Sequence, residues 1–456
     1  MCHRNRVFSI FIDYISFLLY NKRRKGGERM KAAIITLGCK VNQYESEAVS
    51  KRLETAGYEI VGPDEEADVY IINSCTVTAE SDRKTRQAVR KMKRLHPDSI
   101  VLLTGCMPQA FPNDAEKLVE ADIVTGNKFN YRIPELLKNH INGQRDFAVE
   151  EHKSGEKFGG DIVTSYRERT RATLKIEDGC NRFCSYCIIP YARGRVRSKP
   201  LEDIEKEAKT FAENGYKEIV LVGINLSAYG TDCGSDMAQA VGTVARIEGI
   251  ERVRLGSLEP DHITDETIAK LKEIKEFCPQ FHISLQSGCD KTLKKMNRHY
   301  NTDEYATLCR KLRSAFEDCT ITTDLMTGFP GETAEDFETS LAFVKEIGFE
   351  KVHVFPYSRR DGTPAAKMTE QVEKAEKERR AKKVIEEAEI IRQSFLKKQT
   401  GKTVCVLPEE YSKGFCHGYT ANYTPVKVDC PPDKCGELIN VKITGVDGDY
   451  CVGIII

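Results

Sequence analysis

The sequence predicts an α/β protein in three parts: a parallel α/β domain over residues 30–145, a partial (β/α)6 barrel over residues 165–395, and a small β-barrel over residues 397–456. Three observations predict it. From Met30, short apolar runs of strand length alternate with segments of helical spacing long enough for crossover helices, the rhythm of a parallel sheet. Six longer units of the same kind lie between residues 170 and 358, too few for a closed eight-unit barrel. Beyond the last long helical pattern, the chain changes to closely spaced strand-like runs.

Composition sets the frame. The chain has 456 residues with ordinary hydrophobic and charged fractions, and 69 basic residues balance 69 acidic ones. Bulk charge therefore gives no argument for a nucleic-acid partner, and any such contact must come from local patches. Seventeen cysteines in a chain of this length form no small disulfide framework. Reduced thiols, some of them metal ligands, are the expectation. The opening run "VFSIFIDYISFLLY" is broken by Asp13, is too short to span a bilayer and lacks a small-residue cleavage site. "KGGER" could be encoded by a ribosome-binding stretch, so Met30 is the expected start, with 1–29 a non-native extension. A peripheral amphipathic anchor is the alternative, and intact mass of natively expressed protein separates the two.

In the first part, "AAIITLGC", "ADVYIINSC" and "SIVLLTGC" each end in a cysteine: Cys39, Cys75 and Cys106. Functional groups of parallel sheets gather just beyond the carboxyl ends of the strands, which is where these three stand. Any one of them could be a small buried core residue. Three at the same address point instead to a three-thiol metal site.

In the second part the strand candidates are "ATLKIEDGC", "KEIVLVGIN", "ERVRLGSLEP", "QFHISLQSG", "CTITTDLMTGFPGE" and "KVHVFPYS". The polar and glycine-rich motifs "GIN", "SLEP", "LQSG" and "GFPGE" fall where those strands end, on the rim that carries chemistry in barrels of this kind. "EDGCNRFCSYC" follows the first strand onto that rim with Cys180, Cys184 and Cys187. A four-iron cluster held by only three thiolates keeps one iron open for a ligand. Zinc with a remote fourth ligand is the alternative, although C-x3-C-x2-C lacks the pair-plus-pair layout of such sites.

With these residues in place, "CNRFCSYC" resembles the cysteine loop of the radical S-adenosylmethionine superfamily, and the chain from Met30 resembles the methylthiotransferases within it. The resemblance implies two 4Fe-4S clusters, on Cys39, Cys75 and Cys106 and on Cys180, Cys184 and Cys187, with S-adenosylmethionine as methyl donor and radical source. It implies a C-terminal TRAM domain, for which "GYTANYTPV" is the matching stretch. "TLGCKVNQYESE", "GINLSAYG", "HISLQSG" and "FPYSRRDGTPAAKM" most resemble the branch that modifies N6-threonylcarbamoyladenosine in tRNA. The sister branch acting on isopentenyladenosine typically has glutamine where Ile224 stands, and a third branch modifies a ribosomal aspartate.

Further roles follow from the resemblance. Tyr186 and Ile188 resemble adenine-contacting positions. Gly223, Asn225, Ser257, Gln286, Ser287, Gly328 and Gly331 on the rim are cofactor-binding candidates, each also readable as an ordinary loop residue. Cys289 stands where relatives commonly have serine and receives no role. The implied partners are tRNA with an adenosine 3′ to the anticodon, an electron donor such as flavodoxin or ferredoxin, and a sulfur source. A cytoplasmic location without a membrane partner goes with them.

Two basic stretches are candidate phosphate contacts: "RKTRQAVRKMKRLH" from Arg83, and "YARGRVRSKP" with Arg193, Arg195, Arg197 and Lys199. Solvated helix faces are the plain alternative. "MTEQVEKAEKERRAKKVIEEAEIIRQSFLKKQTGK" predicts one long charged helix closing the barrel. In the last domain, Cys405, Cys416, Cys430 and Cys435 match no zinc pattern and are expected as isolated thiols. The competing functional class is a non-enzymatic, metal-containing RNA-binding module.

Overall fold

A computed structural model of the chain describes residues 29–140, 146–159, 163–166 and 170–456, so the extension expected before Met30 lies, through residue 28, outside the described residues. The chain divides into two compact units: Met1–Ser154 with the short segment Tyr191–Gly194, and Gly155–Pro190 with Arg195–Ile456.

The first unit is a six-stranded sheet made of β1 (Lys31–Thr36), β2 (Glu59–Val61), β3 (Val69–Ser74), β4 (Ile100–Gly105), β5 (Ile123–Thr125) and β6 (Asp146–Ala148). Its order is β2-β1-β3-β4-β5-β6, and every neighbouring pair is parallel. All of β3 is buried, as its unbroken "VYIINS" run requires of a central strand covered on both faces. Helix Ala79–Leu95 starts at Thr78, whose hydroxyl accepts from the Ser81 amide at 3.1 Å. It buries only the stripe Asp82, Thr85, Val89 and Met92, which is why the rest of it can be so basic.

In the second unit, β7 (Arg171–Lys175), β10 (Glu218–Val222) and β11 (Arg252–Leu255) form one parallel sheet. The short strands β8 (Glu177–Asp178) and β9 (Arg197–Ser198) pair antiparallel beside it. After Gly256 the arc continues through β12 (Ser257–Leu258), β13 (Gln280–Ile283), β14 (Thr320–Thr327) and β15 (Lys351–Pro356), again all parallel. These are the six expected barrel units, open rather than closed. Helix Lys374–Lys397 packs along β14 and β15. Among the described residues, no helix is long and apolar enough to cross a membrane.

The C-terminal strands β16 (Thr403–Ser412), β17 (Phe415–Thr420), β18 (Pro425–Val428), β19 (Ile439–Asp447) and β20 (Tyr450–Ile455) close into a barrel in the order β16-β17-β18-β20-β19. The thiols expected to be isolated here are not all so. Cys416 and Cys430 form a disulfide with Cα atoms 5.9 Å apart, because β17 and β18 run side by side and bring them together. Cys405, Cys435 and Cys451 remain free thiols.

The "GYTANYTPV" stretch docks this barrel onto the parallel one. Tyr419 and Tyr423 stack at 4.2 Å, with the Arg171 guanidinium over both rings. Arg252 donates to the Tyr419 and Cys405 carbonyls at 3.1 and 2.8 Å, and Arg254 to the Ala421 and Thr420 carbonyls at 2.8 and 3.2 Å. Beneath them lies Glu218, buried and paired with Arg254 at 2.7 Å, Arg171 at 3.6 Å and Arg252 at 3.7 Å.

Candidate active site

In the first unit, each of the three cysteines directly follows a strand or its turn. Gly38, before Cys39, has φ +121°, and a Cβ there would meet the Cys75 Cβ at 2.8 Å. Gly105, before Cys106, has φ +98°, and a Cβ would meet the Ser74 backbone nitrogen and oxygen at 2.5 Å. The "GC" pairs are thus steric requirements for bringing these thiols into one space. Asn42 ties the Cys39 and Cys75 loops together: its amide donates to the Leu37 carbonyl at 3.1 Å and the Ser74 carbonyl at 2.8 Å, and its Oδ1 accepts from Cys39 Sγ at 3.4 Å. Cys39 and Cys75 both act electrostatically on Cys106. Burial pushes the Cys106 thiol up to about 12 against the pull of Arg193, and burial also raises Cys75.

In the second unit, the cysteine loop leaves β7 through Gly179 and turns at Phe183, with the Cys187 amide donating to the Cys184 carbonyl at 2.9 Å. Ser185 anchors it: its amide donates to the Met296 carbonyl and its hydroxyl to the Lys295 carbonyl at 2.8 Å. Burial lifts Cys180 to about 12 and raises Cys187 as well. Arg298 Nη1 donates to Cys184 Sγ at 3.3 Å and to the Tyr186 hydroxyl at 3.5 Å, while the same guanidinium forks onto Glu259 at 3.2 and 2.5 Å. Ile188 is buried, and Tyr186 packs edge-on against Phe329.

Among the described residues, no three His, Cys, Asp or Glu side chains are gathered around a point that would hold a single metal ion. A cubane is a larger body whose ligands stand further apart, and soft thiols in sets of three are the donor set it takes; here Cys75, Cys106 and Cys184 are buried, Cys180 and Cys187 half-buried, and Cys39 exposed. Binding iron requires the thiolate, so the cation would reverse the upward shifts that burial imposes. Two rim side chains also keep buried oxygens with no partner: Asn225 Oδ1 and Gln286 Oε1. Unsatisfied buried acceptors of this kind suit a polar cofactor.

The other rim candidates divide. Ser257 is exposed. Gly223 faces the Glu177 side chain, whose Oε2 accepts from the Asn225 amide at 2.7 Å. Ser287 is buried, with its hydroxyl 3.0 Å from Ser340 Oγ on helix Ala334–Ile347. The space beside Gly328 is taken by Lys377, and that beside Gly331 by Lys295 and Glu370. Glu332 accepts from the Gly328 amide at 2.7 Å and pairs with Arg380 at 2.6 Å, so "GFPGE" is accounted for as a turn locked to helix Lys374–Lys397.

Comparison with known proteins adds the family. The Radical SAM superfamily matches residues 174–344, and the Uncharacterized protein family UPF0004 matches residues 31–126. Threonylcarbamoyladenosine tRNA methylthiotransferase MtaB of Bacillus subtilis (strain 168) is 37% identical over 92% of this chain and 95% of its own length. Its namesake from Thermotoga maritima is 39% identical over 90% and 93%. The chain belongs to the radical S-adenosylmethionine methylthiotransferases. A tRNA-2-methylthio-N(6)-dimethylallyladenosine synthase of Clostridium novyi is 37% identical over 96% of the chain and 97% of its own length. The solved structure of the radical S-adenosylmethionine methyltransferase TsrM from Kitasatospora setae shares the fold, at TM-score 0.55 and 14% identity over 74% of each chain.

In this methylthiotransferase the basic stretch "YARGRVRSKP" is not the exposed patch that its charge suggests. Arg193 is buried against Glu45, Arg197 against Asp178 at 3.3 Å, and Lys199 against Glu207. Only Arg195 of the four is exposed, lying over the Phe183 ring at 4.5 Å. Of the acids that neutralise the others, Glu45 comes from the distant helix Lys40–Thr55, while Asp178 and Glu207 stand on elements flanking the stretch, so folding and not a charge count decides which cations are exposed. The helix Ala79–Leu95 does present its cations: Lys84, Lys91 and Arg94 are exposed, while Arg83 and Arg90 pair with Glu80 and Glu120. Sequence reasoning missed Asn42, Glu45, Glu259 and Arg298, although "KVNQYESE" already held the first two.

Proposed function

We propose that this methylthiotransferase adds a methylthio group to carbon 2 of N6-threonylcarbamoyladenosine at position 37 of tRNA, giving 2-methylthio-N6-threonylcarbamoyladenosine. The supporting observation is the pair of three-cysteine sets, each at the carboxyl ends of its own parallel strands, on a chain aligned over nine-tenths of its length with enzymes named for that activity. Carbon 2 of adenine bears an unactivated C–H bond with no acidic proton, so side-chain acid–base groups cannot open it. When bound at Cys180, Cys184 and Cys187, an iron–sulfur cluster with S-adenosylmethionine supplies the radical chemistry that this bond requires.

The chain's own residues bind and orient. Arg298 and Glu259 fix the Cys184 sulfur and the Tyr186 hydroxyl, and Asn225 and Gln286 offer their unpartnered oxygens to the cofactor. Cys39, Cys75 and Cys106 would hold the second cluster, which would supply the sulfur chemistry. A low-potential electron donor such as flavodoxin or ferredoxin, a sulfur source and a cytoplasmic location complete the reading. Deleting the gene in its host and measuring tRNA nucleosides by mass spectrometry is the test. The expected result is loss of 2-methylthio-N6-threonylcarbamoyladenosine with accumulation of its unthiolated precursor. Loss of the isopentenyl analogue instead would move the chain to the sister branch, a second reading favoured by the Clostridium novyi relative.

An adenosine beside the anticodon is stacked in its loop, so splaying it out costs a few kcal/mol that backbone contacts must offset. The exposed cations of helix Ala79–Leu95 are the proposed source. Exchanging Lys91 and Arg94 for glutamine is expected to weaken binding of every substrate tRNA and to flatten its salt dependence by about one to two counterions. A filter-binding series over salt concentration with an unchanged slope would remove this helix from the interface.

A further inference from the structure

Arg193 is one of the largest fully buried side chains, and within the first unit it has an address of its own. Its Nε donates to Cys106 Sγ at 3.2 Å. Its Nη2 donates to Asn42 Oδ1 at 3.1 Å and Glu45 Oε2 at 2.9 Å, and its Nη1 to Glu45 Oε1. The same Asn42 oxygen accepts from Cys39, so one guanidinium is bonded to one cysteine sulfur and one atom removed from another. The preceding residue is held as well, since Asn127 donates to the Ala192 carbonyl at 2.8 Å. Burying an arginine is costly unless every donor finds a partner, and here the fork is matched by a carboxylate while the remaining Nε–H is left to a sulfur.

Glu259, Arg298 and Cys184 repeat this composition in the second unit: a buried guanidinium, a forked carboxylate and a donor hydrogen bond to one cysteine of a set of three. The recurrence on unrelated scaffolds argues against an accident of packing.

We propose that Arg193 and Glu45 are positioning residues that set the reduction potential of the cluster on Cys39, Cys75 and Cys106, resting on the reading that those thiols hold one. One-electron reduction adds a negative charge that spreads onto the thiolate sulfurs. A charge-assisted N–H···S bond from Arg193 to Cys106 favours the reduced, more negative state, and Glu45 tempers that effect by neutralising part of the guanidinium.

The test uses the full chain carrying Cys180→Ala, Cys184→Ala and Cys187→Ala, reconstituted anaerobically with iron and sulfide, so that a single cluster remains. Its midpoint is followed by electron paramagnetic resonance during titration with dithionite. Arg193→Gln is expected to make reduction about tenfold less favourable, about 59 mV lower for one electron. Arg193→Lys should fall between it and the parent. Glu45→Gln is expected to move the midpoint the opposite way, because it leaves the guanidinium charge undiminished. Opposite signs cannot arise from general disruption of the site. Iron-loaded variants with unchanged midpoints, shifts of the same sign, or loss of iron from both Arg193→Gln and Glu45→Gln would overturn the assignment and leave the pair a structural clamp. A parent protein that takes up no iron would instead sink the cluster reading itself.

Discussion

Alanine at Cys180, Cys184 or Cys187 is expected to reduce cleavage of S-adenosylmethionine to background, whereas alanine at Cys39, Cys75 or Cys106 should leave that cleavage intact and stop methylthio transfer. The first three thiols sit in one short loop anchored by Ser185 to Lys295 and Met296, so losing any one removes a ligand that no neighbour replaces. The other three come from separate crossover units of the first unit. Deoxyadenosine and methylthio-nucleoside, quantified from the same anaerobic reaction, give the two readouts. The parent should carry two four-iron clusters, about eight irons per chain, and each set of variants about half of that. A Cys75→Ala protein making methylthio-nucleoside at the parent rate would dismiss the second site, and stoichiometric zinc without iron would dismiss the enzyme in favour of a metal-containing RNA-binding module.

Glu218→Ala is expected to be the most damaging change away from the cysteines. Removing one partner from a buried charge network costs about 3–5 kcal/mol, and here three guanidiniums lose their shared carboxylate at once. Arg171, Arg252 and Arg254 are also the groups that hold the C-terminal barrel, so the loss should appear as faster proteolysis at the junction after Lys397 as well as a lower unfolding midpoint. A proteolysis pattern and midpoint matching the parent would show that the arginine and tyrosine contacts hold the two barrels together without Glu218. Burial by itself would raise the Glu218 carboxyl, but Arg254, Arg171 and Arg252 outweigh it and bring it below the ordinary value of 4.5. A carboxyl depressed on folding contributes stability that is complete above its unfolded value and is lost as pH falls through the folded one. The parent should therefore lose this contribution only below about pH 4.5, and Glu218→Gln should lack that part of the acid dependence.

The architecture was readable because each long strand is an apolar run closed by a small residue and then by chemistry, a pattern that survives without tertiary information. The strands Glu59–Val61, Ile123–Thr125 and Asp146–Ala148 are too short to show a period, and the parallel pairing that places them is a property of the assembled sheet. Cys39, Cys75 and Cys106 stand out by their repeated address at strand ends, and Cys180, Cys184 and Cys187 by their close spacing in one loop. Their guanidinium partners do not, since Arg193 and Arg298 reach Cys106 and Cys184 only through folding, and Arg193 looked in sequence like a member of a solvated basic run. The disulfide between Cys416 and Cys430 was hidden for the same reason: neighbouring antiparallel strands, rather than spacing, bring the two residues together.

Because Tyr191–Gly194 packs with the first unit, that unit is discontinuous, and this bears on how the protein is born. Domains generally condense in the order in which they leave the ribosome. All six strands of the first sheet and all three of its cysteines have been synthesised by Ala148, but the arginine that completes their surroundings arrives only after the whole Cys180–Cys187 loop has been made. A nascent chain halted between the two could shape the sheet without the guanidinium that Glu45 holds in the finished protein. The chain thus contains its own order of manufacture: the loop that carries one set of thiols must be translated before the pocket of the other is finished. A gene cut at the apparent boundary near residue 155 would yield a fragment with Cys39, Cys75 and Cys106 and an incomplete lining around them.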